Sequence, residues 1–144
     1  MKVISYGMAK VKIFIFDDQQ LGLTSCTRYL DGQTYCFGLN SGPGFGLFWN
    51  PRRTNKVALV QNDAFQGCMG ELWEVSGDVL AYLDAWYRLR DAYPCKILLP
   101  ATSEIRSWAT SVRSLRGAKM RQIHDYRDPY EPPVRKECPP EVTF

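Results

Sequence analysis

The chain holds one histidine, His124, and no C-x-x-C pair, so the usual zinc-ligand spacings are missing. Its five cysteines, Cys26, Cys36, Cys68, Cys95 and Cys138, are scattered and odd in number. That pattern argues against a disulfide framework and reads as free thiols in a reducing, cytoplasmic setting. No apolar run approaches the roughly 20 residues of a membrane span. Lys2 is followed by too few apolar residues, before Lys10 and Lys12, for a secretory leader. A net charge of +3 is too small for a protein that grips long nucleic acid by neutralising phosphates. There is no internal repeat, no interdomain linker, and nothing in the composition that asks for a cofactor.

What is present suits a globular domain. Of 144 residues, 45% are hydrophobic and 13% aromatic, enough for a real core. Residues 1–127 read as one domain, and residues 128–144 as an extended proline-rich tail without core. Strands are expected at residues 1–6, 57–60, 68–75, 95–99 and 119–126, with a possible further strand over 11–16. The NSGPG segment at 40–44 has turn chemistry and separates two aromatic runs, TYCFGL and FGLFW. Alternation in 68–75 puts Met69, Glu71, Trp73 and Val75 on one face and Cys68, Gly70, Leu72 and Glu74 on the other. Residues 76–90 are the clearest helix. Ser76 or Asp78 caps it, and Val79, Leu80, Leu83, Trp86 and Tyr87 form its apolar stripe. Pro94 ends any continuation. Residues 102–116 fit either a helix or irregular structure. Arg52, Arg53 and Lys56, and Arg88 with Arg90, are local basic clusters, read first as solvated surface.

Four motifs occur in an order that carries a resemblance. Tyr6–Gly7 closes the first strand. Val57–Val75 (VALVQNDAFQGCMGELWEV) forms a strand–turn–strand unit ending in Gly70, Leu72, Trp73 and Val75. Leu83–Asp84 lies at the far end of the helix, with Tyr93 beyond it, and Asp125–Pro133 (DYRDPYEPP) follows the last strand. Together they resemble the γ-glutamylcyclotransferase-like superfamily over roughly residues 1–135. The resemblance implies an α+β fold, a mixed β-barrel of about six strands with flanking helices. It also implies a ligand cavity lined by Tyr6, Gly7, Met8, Ala9 and Lys10 and by the Trp86–Tyr87–Arg88 end of the helix.

In that family the helix motif reads L-D-x-x-E-G, and its glutamate removes a proton from the substrate amine. Here Tyr87 stands at the glutamate's place and Arg88 at the glycine's. Met8 and Ala9 depart from the family's serine or threonine and leucine or asparagine. A phenol with a pKa of roughly 10 is a poor base at neutral pH. Glu71 and Asp91 are the candidates for a relocated base, while Asp84 matches a position that is usually structural.

Three functions follow as expectations. The first is a non-catalytic binder of a small molecule, a nucleotide or a γ-glutamyl compound. One form is a viral or mobile-element protein that sequesters a nucleotide-like signal from a host defence. Trp86 and Tyr87 would stack on a planar ligand, and nearby arginines would hold phosphate. The second is a cyclotransferase that releases 5-oxoproline with its base moved. The third is an interaction scaffold using Phe45, Phe48 and Trp49 or the tail.

Overall fold

The computed structural model describes residues 2–6, 34–53, 56–97, 105–126 and 141–144. Gly7, Met8, Ala9 and Lys10, the stretch 11–16 and most of the 128–144 tail lie outside the described residues. The strands are β1 (Lys2–Ser5), β2 (Thr34–Asn40), β3 (Phe45–Trp49), β4 (Val57–Gln61), β5 (Met69–Glu74), β6 (Ala92–Ile97), β7 (Ile105–Thr110), β8 (Lys119–Ile123) and β9 (Glu141–Thr143). One α-helix is described, α1 (Gly77–Arg88), with a 3-10 turn at Val112–Leu115.

The fold is α+β, but its described strands make two open sheets instead of one closed six-stranded barrel. One sheet runs β2-β5-β1-β7-β6, the other β4-β3-β8-β9. Only the β1–β7 pairing is parallel in the five-stranded sheet; its other pairs are antiparallel. The sheets are tied at one corner, where Met69 N–H donates to the His124 carbonyl at 2.7 Å and Tyr126 N–H donates to the Met69 carbonyl at 3.1 Å.

Register assigns the faces of the five-stranded sheet. Val3 pairs with Trp73 and with Arg106, and Ser5 pairs with Glu71, so these side chains share one face. Trp108 lies on that face too, and α1 packs there. Ile4 and Tyr6 occupy the opposite face with Gly70 and Leu72, toward the second sheet. The helix forms where expected: Ser76 Oγ accepts from Val79 N–H at 3.3 Å, and Val79, Leu83, Trp86 and Tyr87 are buried.

Three expectations change. Strand β6 starts at Ala92, ahead of the expected residue 95, and runs through Pro94, because β6 is an edge strand and a missing N–H on its open side costs no ladder bond. Residues 105–110 are a strand, hidden in the sequence because β7 is sandwiched between α1 and the second sheet and lacks a clean alternation. The end of the tail does join the core: β9 pairs with β8, and the Phe144 ring meets Phe48 edge-on at 4.9 Å. No helix among the described residues is long and apolar enough to cross a membrane.

Candidate functional site

The far end of α1 is built from paired contacts. Asp84 is an anchor: its two carboxylate oxygens accept from Arg106 Nη1 and from Trp108 Nε1, each at 2.7 Å. Tyr87 is 4% exposed. Its ring stacks on Trp108 with centroids 4.5 Å apart and planes within 7°, and Trp86 meets it edge-on at 5.0 Å. Trp86 is 1% exposed, and its Nε1 has no hydrogen-bond partner among the described residues. The Arg90 guanidinium covers the Trp86 ring at 3.8 Å and donates to the Trp86 carbonyl at 3.0 Å, closing the helix C-terminus. Desolvation there lowers the Arg90 pKa. Arg88 is exposed. The tandem rings at this end of the helix are therefore core, while Arg88 and Leu89 turn to solvent.

The two candidate carboxylates differ. Asp91 sits just past the helix at φ 56°, a left-handed conformation that aspartate tolerates better than most residues. Its Oδ1 accepts from the Tyr93 hydroxyl at 2.7 Å. Glu71 is 7% exposed and accepts from Trp73 Nε1 at 3.0 Å. It lies opposite Ser5, on the α1 side of the sheet. Tyr6 points the other way: a Cβ on Gly70 would come within 2.7 Å of the Tyr6 ring. The Tyr6 and Glu71 side chains are thus brought to adjacent strands but to opposite faces.

Tyr6 is buried beside Cys68 and Ser41, and its hydroxyl has no well-aligned hydrogen bond among the described residues. Burial pushes this phenol well above its ordinary value. Desolvation also pushes the Cys68 thiol up to about 11 and Cys95 up to about 12, from an ordinary 9.0. Both thiols are neutral when folded, so their contribution is fully present below pH 9. It is lost as pH rises, between 9 and 11 for Cys68, because the unfolded chain releases the proton first. Urea unfolding is expected to show stability falling by on the order of 2 kcal/mol across that window for Cys68. Cys68→Ala should make the slope shallower by that amount, leaving the part that Cys95 carries; an unchanged slope would show that Cys68 contributes nothing to it.

No family model and no curated protein matches the chain. Among solved structures it is similar to the uncharacterized protein PH0828 from Pyrococcus horikoshii. The TM-score is 0.56 at 14% identity, with 89% of this chain and 91% of that chain covered. The likeness is one of fold.

Sequence reading passed over a second place. An open groove of about 630 Å³ lies at the corner joining the sheets, and Asn40, Gln66, Gln122 and His124 give it polar walls. Its signal in the sequence was indirect: two turns, NSGPG and QNDAFQG, whose convergence depends on the fold. The aromatic run, by contrast, is not a surface, since Phe45 and Phe48 are buried.

Proposed function

We propose that this protein binds a small molecule without turning it over, on a fold resembling the γ-glutamylcyclotransferases. One observation carries the reading: at the helix position where that family places its base, Tyr87 is stacked in the core on Trp108. Cyclisation of a γ-glutamyl group needs a carboxylate within hydrogen-bond reach of the amine. A buried phenol, which titrates only around pH 10 even in water, does not replace it.

The ligand class placed first is a nucleotide-like signal held by sequestration, as a viral or mobile-element protein opposing a host defence would hold it. Exposed Arg88 supplies charge that a phosphate asks for, and Lys10, outside the described residues, would add to it. The test incubates purified protein with nucleotide second messengers and γ-glutamyl amines. Mass spectrometry then follows both retained ligand and new product. An unaltered nucleotide retained on the protein is the expected result.

A second reading has its own support. Glu71 is a buried carboxylate on the strand beside β1, opposite Ser5, the residue before Tyr6. If it is a relocated base, the protein releases 5-oxoproline. Glu71→Gln keeps the shape and an acceptor for Trp73, so it should fold while lowering that release by about 10²-fold or more. Product from wild type that disappears in Glu71→Gln would replace the binding reading with this one.

A further inference from the structure

The groove at the corner of the two sheets has a chemistry unlike that of the helix end. Its walls come from the end of β2, the 62–67 turn, the start of β5 and the end of β8. Three carboxamides, on Asn40, Gln66 and Gln122, and the His124 imidazole line it, with Phe65 and Met69 supplying apolar contact. No lysine, arginine, aspartate or glutamate is among its described lining residues. The described lining therefore offers carboxamide and imidazole hydrogen bonds rather than carboxylate or ammonium charge.

We propose that this groove binds an uncharged planar heterocycle, a nucleobase or nucleoside. A carboxamide presents a donor and an acceptor side by side, matching the paired donor and acceptor on a base edge. Gln66 and Gln122 can offer both, Asn40 its NH₂, and beside the imidazole they can read such an edge while Phe65 and Met69 cover part of its face. The volume lies within the range of about 300–1,000 Å³ typical of small-molecule sites.

The walls are held before any ligand arrives. Asn40 Oδ1 accepts from Gly42 N–H at 2.8 Å, which fixes the amide and leaves its NH₂ as the donor. In the 62–67 turn, Phe65 N–H donates to the Asn62 carbonyl at 3.0 Å, Asn62 Oδ1 accepts from Ala64 N–H at 2.9 Å, and Gly67 N–H donates to the Phe45 carbonyl at 3.0 Å. The Phe65 ring lies against Gly46, where a Cβ would come within 2.8 Å of it. Gly67, at φ 109°, passes so near Asn40 that a Cβ would sit 2.7 Å from Oδ1. A site that needs little ordering on binding keeps more of its contact energy as affinity.

The site stands apart from the reading above, since Arg88 at the helix end is not among its lining residues. His124 is the chain's one histidine, so its imidazole C–H protons give a unique NMR signal inside the groove. Adenosine, guanosine, cytidine and uridine would be titrated separately into the full chain while that signal is followed. The expected result is a saturable shift with at least one nucleoside, at a Kd of about 1 mM or tighter. The midpoint should move tenfold or more in Gln66→Ala/Gln122→Ala and stay in place in Gln61→Ala, an exposed glutamine outside the groove. Gln66 is exposed, so Gln66→Ala alone carries the test should the double variant fail to fold. A His124 signal that none of the four nucleosides moves would overturn the proposal, as would a shift that survives both variants unchanged. Retention of a nucleotide with His124 unmoved would also overturn it, while leaving the helix-end reading intact.

Discussion

Tyr87→Glu, which introduces the glutamate of the family that the sequence resembles, is expected to unfold the protein and not to create an enzyme. The ring it removes is 4% exposed, stacked on Trp108 and met edge-on by Trp86. Truncating a buried aromatic costs about 3–5 kcal/mol. A carboxylate left unpaired in the same space adds more, either as desolvation or as a proton taken up to avoid it. Against a domain stability of about 5–15 kcal/mol, the sum removes most or all of the folded state. Circular dichroism melts of Tyr87→Glu and of the ring-preserving Tyr87→Phe check this, with the cooperative transition lost only in the first. A folded Tyr87→Glu that released 5-oxoproline would show that position 87 faces a working cavity, and the core assignment would be wrong.

The second large effect is expected at a glycine. Gly70 is the second residue of β5, beside the end of β1. A Cβ there would stand 2.5 Å from Ile4 Cγ2 and 2.7 Å from Tyr6 Cε1. Ile4 is fully buried and cannot swing aside, and Tyr6 is wedged against Cys68. Gly70→Ala should therefore cost about 3 kcal/mol, at the upper end of overpacking penalties, despite adding one methyl. Gly77→Ala is the control: a Cβ at Gly77 meets nothing within 4 Å, so a change below about 1 kcal/mol is expected there. Equal urea midpoints for the two variants would mean that β1 and β5 are not packed as described.

Gly70 also shows how a motif can be legible while its reason is not. In the sequence it is the first residue of a pattern shared with a family. In the fold it is the place where the Tyr6 ring passes over the strand. Asp84 is similar: its place near the helix end could be read, but its partners Arg106 and Trp108 come from a segment whose periodicity gave no strand. The groove was least legible of all. Asn40, Gln66, Gln122 and His124 are ordinary polar residues in separate turns and strand ends, and only the union of the two sheets brings them together.

The sequence by itself determined the local elements: the capped amphipathic helix, the alternating strand at 68–75, the turns, and the absence of a carboxylate at position 87. Those properties depend on neighbours within a few residues, where backbone sterics and side-chain periodicity act directly. Tertiary structure alone decided that the described strands form two open sheets, that β7 is a strand, that the chain's last residues return to the core, and that Tyr87 is a packed ring. Each of these depends on which distant surface covers a residue, and burial on two faces erases the periodicity from which such a placement could be read.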